Sequence, residues 1–199
     1  MLRRASANRQ TRETQISVEI LLDGSGKSQV DTSIGMFDHL LDQLARHGLL
    51  DLTVHARGDT EVDEHHLVED TGILLGRVLR EAIGDGIGIR RMGHAIVPLD
   101  DALARVAMDL SGRGYAIIDA GLSSEERVGT LPADLVRHFL ESFALEARIT
   151  LHGSVQGGQS AHHKAEALFK AVARSLRDAV ELDPRQFGEV PSTKGTING

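Results

Sequence analysis

The sequence carries one arrangement of histidine and glutamate twice, and this duplication constrains its fold more than any other feature. The repeated residues are His65, His66 and Glu69 in the first half and His162, His163 and Glu166 in the second. The two sets are offset by 97 residues, and a further histidine precedes each set, His39 and His138, offset by 99. Such self-similarity indicates a repeated structural unit. The 199-residue chain is therefore predicted to be a single domain with internal repeats at about residues 9–93 and 94–195.

The local patterns of the two halves agree with this interpretation. Alternation of apolar and polar residues predicts strands over residues 13–22, 50–56, 95–97, 102–110, 115–120 and 148–155. Apolar residues at helical spacing predict helices over residues 36–47, 65–83, 134–147 and 160–181, with Asp134 as the N-cap of the third. Residues 27–34 are predicted to form a hairpin with the first strand. Each half thus contains strands, a short helix, a strand and a long helix.

Composition narrows the kinds of site that this chain can form. It has ten histidines and no cysteine, which excludes disulfides, thiolate metal ligands and a thiol nucleophile. A net charge of −7 argues against binding to the nucleic-acid backbone. The arginine-rich start is not followed by an apolar segment, and no apolar run approaches the ~20 residues of a membrane span. The expectation is a cytoplasmic protein with no membrane or nucleic-acid partner.

The duplicated histidines are predicted to bind metal. Residues four apart share a helix face, so His65 and Glu69 can approach one ion, whereas His66 is rotated by about 100°. The same holds for the second set. Two ions, each with three histidines and one carboxylate drawn from both repeats, would use His39, His65, His66, Glu69, His138, His162, His163 and Glu166. These donors suit Mn, Fe, Co, Ni or Zn, and a closed tetrahedral structural zinc is the alternative. Which ligand joins which ion, within one chain or between chains, stays open.

Other residues suggest a phosphate site and an acid–base group. Arg91 lies in the glycine-rich segment 84–93, Arg113 follows Ser111-Gly112, and the segment from Ser192 through Thr193 to Lys194 lies in an irregular tail. Cations and hydroxyls beside flexible backbone suit a phosphate. Glu13, at the entry of the first predicted strand, is a carboxylate that could act as a base or an acid.

Taken together, the motifs resemble the imidazoleglycerol-phosphate dehydratases of histidine biosynthesis over essentially the whole chain. They are Arg9-x-Thr11-x-Glu13-Thr14, Phe37-Asp38-His39-Leu40-Leu41-Asp42-Gln43, Gly58-Asp59, His65-His66-Leu67-Val68-Glu69-Asp70-Thr71-Gly72, Asp109-Leu110-Ser111-Gly112-Arg113, His162-His163-Lys164-Ala165-Glu166 and Pro191-Ser192-Thr193-Lys194-Gly195. Three positions depart from the family pattern, Met36, Leu40 and Gly114, and none of them removes a ligand or a charge.

The resemblance implies an α+β fold of two tandem repeats, each a four-stranded sheet with helices packed on one face, like the second domain of ribosomal protein S5. It implies a hydro-lyase with two Mn²⁺ ions per active site, held by the eight residues named above. Substrate contacts would be Glu13, Gln43, Arg91, Arg113, Ser192, Thr193 and Lys194. The family forms 24-subunit homo-oligomers whose active sites are completed by neighbouring chains.

The resemblance also implies a reaction. D-erythro-imidazole glycerol phosphate would lose water to give imidazole acetol phosphate, through a metal-bound imidazolate and a diazafulvene-like intermediate. The catalytic residues would be Glu13, as the base, with His65, His66, Glu69, His162, His163 and Glu166. The residues leave two other classes of protein open, a metal-dependent hydrolase and a metal-storage or metal-stabilised assembly protein. The latter would need the metal ligands but not Arg91, Arg113 and Lys194.

Overall fold

The structure is a computed structural model that describes residues 2–186 and 188–197. The first repeat consists of β1 (Arg4–Gln10), β2 (Thr14–Leu21), β3 (Ser28–Asp31), α1 (Gly35–Gly48), β4 (Asp51–Gly58) and α2 (His65–Ile83). The second consists of β5 (Met92–Leu99), β6 (Ala102–Asp109), β7 (Tyr115–Asp119), β8 (Arg127–Val128), β9 (Leu131–Pro132), α3 (Asp134–Ala147), β10 (Thr150–Gly157) and α4 (Ala161–Val180). A short 3₁₀ turn, Pro184–Gln186, follows.

The two four-stranded sheets have the same topology. Their strand orders are β1-β2-β4-β3 and β5-β6-β10-β7. In each sheet three strands are antiparallel and the edge strand, β3 or β7, runs parallel to its neighbour. The predicted fold class of two tandem α+β units is confirmed. The repeat boundaries near residues 9, 93 and 195 stay a prediction.

The helices cover one face of each sheet and pack across the repeats. Helix α2 lies on β1 and β2, and α4 lies on β5 and β6. The short helix of each repeat contacts the long helix of the other, α1 with α4 and α3 with α2. Phe37, Phe139 and Phe169 are buried where these helices meet, with ring centroids 5.2 Å and 5.5 Å from the Phe139 ring. The two repeats therefore share one core.

Two glycines allow the closest of these helix contacts. A Cβ on Gly76 of α2 would lie 2.6 Å from the carbonyl oxygen of Phe143 on α3, and one on Gly72 would lie 3.0 Å from that of Phe139. A side chain at Gly76 would therefore push α3 away. This contact fixes the position of α3 relative to the first turn of α2.

The predicted hairpin between the first strand and residues 27–34 is wrong. Strand β3 pairs in parallel with β4, and the hairpin partner of β2 is β1, which was not predicted. The Asp51 carboxylate accepts hydrogen bonds from the N–H groups of Ser25 and Lys27, at 2.7 and 3.0 Å, and so directs the chain past β2 to β4. The alternation of residues within a strand does not encode this choice of partner.

The predicted helix starts differ in their capping. The fourth helix begins at Ala161, one residue after its predicted start, and Ser160 caps it, because its side chain accepts a hydrogen bond from the His163 N–H at 3.3 Å. Asp134 does not cap α3, since the helix begins at Asp134 itself and the N-cap is Ala133. The Asp134 carboxylate lies in the first turn, where it still complements the helix dipole.

Candidate metal centres and substrate site

One group of potential metal ligands lies where α2 meets α3. The donor atoms of His65, Glu69 and His138 lie within 4.8 Å of one another. His138 Nε2 is 3.3 Å from Glu69 Oε1, and the rings of His65 and His138 are 4.5 Å apart. The His138 Nε2 atom is buried and has no hydrogen-bond partner among the described residues. Buried polar atoms are rarely left unpaired, so this nitrogen is suited to an ion.

A second group lies where α4 meets α1. Glu166 Oε2 is 3.1 Å from His39 Nε2 and 2.9 Å from His162 Nε2. Burial alone would raise the pKa of Glu166, but hydrogen bonds from Lys170, His39 and His162 outweigh it and lower the pKa to about 2. Glu166 is therefore a carboxylate at neutral pH, which is the form that binds metal ions.

These two groups indicate which potential ligands lie together, a question that the sequence left open. In each, the first histidine of a pair and the glutamate one turn later meet the upstream histidine of the other repeat. The cause is the helix packing, α3 on α2 and α1 on α4. Each group lies within a single chain and contains two histidines and one carboxylate.

The second histidine of each pair lies outside these groups and contacts other carboxylates. The His66 ring is perpendicular to that of His65, with centroids 6.2 Å apart, and its Nδ1 lies 3.1 Å from Asp59 Oδ2. The hydrogen bond to Asp59 raises the pKa of His66. Glu13 belongs to the same cluster, since its carboxylate lies within 4.8 Å of the donor atoms of Asp59 and His66.

His163 has an equivalent environment in the second repeat. Its Nδ1 contacts the Asp101 carboxylate, which also accepts hydrogen bonds from the N–H groups of Gln159 and Ser160. Those backbone hydrogen bonds, that of Gln159 first, and the His163 contact lower the pKa of Asp101. Such a carboxylate fixes the orientation and tautomer of a histidine ring. Asp101 lies in the β5–β6 turn, as Glu13 lies in the β1–β2 turn.

Residues around Glu13 attach the β1–β2 turn to α2. The buried Asp70 carboxylate of α2 forms an ion pair with Arg9, at 2.8 Å, and accepts a hydrogen bond from the Thr14 hydroxyl. The N–H groups of Glu13 and Thr14 donate to Thr11 Oγ1 at 3.1 and 2.9 Å. These contacts hold the β1–β2 turn beside the start of α2. The exposed Glu13 side chain thereby lies next to His66.

The predicted phosphate-binding residues lie together elsewhere. Arg91 donates from Nε and Nη2 to the two oxygens of Asp109, at 2.7 and 3.0 Å, and from Nη1 to the Pro191 carbonyl at 2.8 Å. The tail segment Ser192, Thr193 and Lys194 follows directly, and the Lys194 N–H donates to Ser192 Oγ at 3.2 Å. Arg113 Nη1 donates to the Ser111 carbonyl at 3.2 Å. Gln43, by contrast, lies half-buried on α1, one turn after His39.

This cationic cluster is far from both histidine groups of the same chain. The Arg91 N–H donates to the carbonyl of Ala179, which is 17 residues after His162 on α4 and thus about 25 Å along the helix. Gly112 borders the same small cavity as Ile83 at the end of α2, whereas His65 begins that helix. One chain therefore presents its metal-ligand groups and its cationic cluster at opposite ends.

Three carboxylates and one lysine at these sites were not predicted from the sequence to be functional residues. They are Asp59, Asp101, Asp109 and Lys170. A repeat alignment could have suggested Asp101, because it occupies a hairpin turn equivalent to that of Glu13. Asp59 and Asp109 lie in motifs that carry the family resemblance, Gly58-Asp59 and Asp109-Leu110-Ser111-Gly112-Arg113. Lys170 lies four residues after Glu166 on α4, which is the spacing of a helical ion pair.

The fold and these groups define a duplicated α+β protein with histidine–carboxylate sets of the kind that bind metal ions. The family profile of imidazoleglycerol-phosphate dehydratase matches residues 32–176. The imidazoleglycerol-phosphate dehydratase of Dehalococcoides mccartyi strain 195 is 55% identical over 195 residues, which are 98% of this chain and 97% of the relative. That of Methanothermobacter thermautotrophicus is 53% identical, with 98% of each chain covered.

Solved structures agree with this similarity. The crystal structure of the Staphylococcus aureus imidazoleglycerol-phosphate dehydratase aligns with a TM-score of 0.81 and 36% identity, covering 90% of this chain and 99% of that one. The Pyrococcus furiosus structure gives a TM-score of 0.80 and 35% identity, covering 95% and 99%. The chain belongs to the imidazoleglycerol-phosphate dehydratase family, hydro-lyases of histidine biosynthesis. None of its described helices has the length and apolar character needed to cross a membrane.

Proposed function

We propose that this chain dehydrates D-erythro-imidazole glycerol phosphate to imidazole acetol phosphate, with two Mn²⁺ ions per active site and with sites shared between subunits. The observation that carries the proposal is the pair of cross-repeat groups, His65–Glu69–His138 and His39–His162–Glu166, in a member of this family.

The donor sets fit a divalent transition metal. Imidazole with carboxylate suits manganese, and the unpaired His138 Nε2 faces Glu69 as a ligand would. When bound, the two ions would act as Lewis acids on the ring nitrogens of the substrate and favour its imidazolate form. That form of the ring would favour loss of the hydroxide from the carbon next to it.

Glu13 is proposed as the base for the proton on C2 of the glycerol chain. Loss of the hydroxide makes that proton removable, and a positioned carboxylate can accept it. The Glu13 side chain is exposed, and its turn is held beside His66 by Asp70. Tautomerisation of the resulting enol gives the ketone product.

His66 and His163 are proposed to complete the metal sites. Because Asp59 and Asp101 hold their Nδ1 atoms, Nε2 is the nitrogen proposed to bind an ion. In His163, Nε2 lies 3.6 Å from Asp100 Oδ2, which is beyond hydrogen-bond distance. Both rings lie outside the two groups of their own chain. They are therefore suited to ions whose other ligands come from a neighbouring subunit.

The cationic cluster is proposed to bind the substrate phosphate. Arg91 uses three of its five N–H groups on Asp109 and Pro191, which leaves two for a ligand. Arg113, Ser192, Thr193 and Lys194 would supply further donors, and Gln43 would contact the substrate near His39. A fixed phosphate would orient the carbon chain at the metals.

The distance between the two ends of one chain supports shared sites. A substrate much shorter than about 25 Å cannot contact Arg91 and His162 of the same chain. The outer face of the second sheet also carries exposed apolar side chains, Met92, Ile96, Tyr115 and Ile117, as expected of an interface. We therefore propose a homo-oligomer, a 24-mer as in the family, in the cytoplasm.

The direct test is to incubate the purified chain with Mn²⁺ and imidazole glycerol phosphate and to follow imidazole acetol phosphate by its absorbance. Product is expected only with metal, and a chelator should abolish it. Release of inorganic phosphate without ketone would favour a metal-dependent hydrolase. Metal binding without any turnover would contradict the dehydratase activity.

A further inference from the structure

The carboxylates of the two histidine groups have different neighbours, although the groups are repeats of each other. Lys170 lies one turn after Glu166 on α4, and its Nζ is 2.6 Å from Glu166 Oε1. At the same offset of 97 residues, one turn after Glu69 on α2, the first repeat has Ile73. The duplication therefore preserves the two histidines and the glutamate but not the lysine.

The two oxygens of the Glu166 carboxylate contact different groups. Oε1 contacts Lys170, whereas Oε2 faces His39 and His162. The Lys170 and Glu166 side chains are only 17% and 12% exposed, so water and salt screen this charge weakly. An ion in this group would receive one oxygen of a carboxylate whose charge is already shared with an ammonium group.

The Glu69 carboxylate has a different environment. Its side chain is 37% exposed, and among the described residues it forms an ion-pair contact with His138, at 3.3 Å. The residue one turn later, Ile73, is uncharged. A divalent ion here meets the full negative charge of the carboxylate without a lysine beside it.

We propose that Lys170 makes the two metal sites inequivalent, so that an ion at His39, His162 and Glu166 is held about tenfold more weakly than one at His65, Glu69 and His138. The reason is the Coulomb repulsion between the ammonium group and a divalent ion. This inference rests on the metal dependence in the proposed function.

The experiment is a titration of metal-free protein with Mn²⁺, in which electron paramagnetic resonance reports the free ion. The wild-type protein should show two classes of site in equal number, separated by about tenfold in Kd. Lys170→Met should tighten the weaker class until the two differ by less than about twofold, because the repelling charge is gone. Lys170→Arg keeps the charge and should keep both classes.

The reciprocal variant, Ile73→Lys, places a cation one turn after Glu69 and should weaken the tighter class by about tenfold. A single class in the wild type, or two classes that Lys170→Met leaves unchanged, would overturn the inequivalence. If Lys170→Met does not fold, the Ile73→Lys variant decides: an unchanged Kd of its tighter sites would also overturn the inequivalence. Absence of Mn²⁺ binding in the wild type would instead contradict the metal dependence itself.

Discussion

Gly76 of α2 lies against the backbone of Phe143 on α3, so closely that a Cβ at Gly76 would be 2.6 Å from the Phe143 carbonyl oxygen. This contact lets His138 of the second repeat reach Glu69 of the first, at 3.3 Å. The first metal-ligand group therefore depends on a residue that bears no functional atom.

Gly76→Ala should accordingly destabilise the fold and disturb that group. The added methyl overlaps backbone, and overpacking of this kind costs about 1–3 kcal/mol, more than the ~0.5–1 kcal/mol that alanine contributes to a helix. Gly35→Ala is the matched control, because a Cβ at Gly35 of α1 meets nothing within 4 Å. Thermal unfolding at fixed protein concentration measures both. Equal melting temperatures for the two variants would contradict the close-packing argument.

Glu13→Gln should keep metal and substrate binding but lose turnover. The amide cannot accept the C2 proton, and a general base typically contributes about 10²–10⁴-fold to the rate. Steady-state kinetics and Mn²⁺ binding give the two readouts. Glu61→Gln, in the exposed loop before α2, is the control and should retain the wild-type rate. A near wild-type rate for Glu13→Gln would remove Glu13 from the mechanism.

Asp109→Asn should weaken substrate binding more than it slows the chemical step. Asp109 fixes the Arg91 guanidinium through two hydrogen bonds, and losing this charge-assisted pair leaves Arg91 free to move. We expect KM to rise by about tenfold, because a charge-assisted hydrogen bond contributes about 1.5–3 kcal/mol, while kcat falls less. Asp119→Asn, on β7 of the same sheet, is the control. A fall in kcat with unchanged KM would argue against a role in phosphate binding.

Asp51 should contribute stability that depends on pH. The backbone hydrogen bonds from Lys27 and Ser25 lower the pKa of Asp51, so the carboxylate stabilises the fold above its unfolded pKa, near 4. That contribution is lost as the pH falls through the lower pKa of the folded state. Asp51→Asn should therefore lower the melting temperature at pH 7, and the difference from the wild type should shrink steadily as the pH falls below about 4. A difference in melting temperature that does not change with pH would show that the charge of Asp51 does not contribute to stability.

Two inactive variants should restore activity to each other if active sites are shared. His162→Ala removes a metal ligand, and Arg91→Ala removes a phosphate ligand at the other end of the chain. In a co-assembled equal mixture, roughly one quarter of sites would combine an intact histidine from one subunit with an intact arginine from another. Each variant assembled alone is the control and should stay inactive. No recovery in the mixture would place each site within one chain.

The sequence by itself determined the duplication, the helices that bear the histidines and the division of each histidine pair between two helix faces. These properties are local, because helical periodicity and the four-residue spacing of His65 and Glu69 are set within a few turns of chain. The short apolar runs and the missing cysteines likewise bounded the fold class and the kind of metal ligand.

The tertiary structure alone decided which partners meet. The pairing of β3 with β4 depends on Asp51 and the backbone near Ser25, and the meeting of His138 with Glu69 depends on two helices from different repeats. The placement of Arg91 about 25 Å from His162 depends on the direction in which β5 lies along α4. Contacts between segments far apart in the chain arise from packing of the shared core, and no local pattern of residues encodes them.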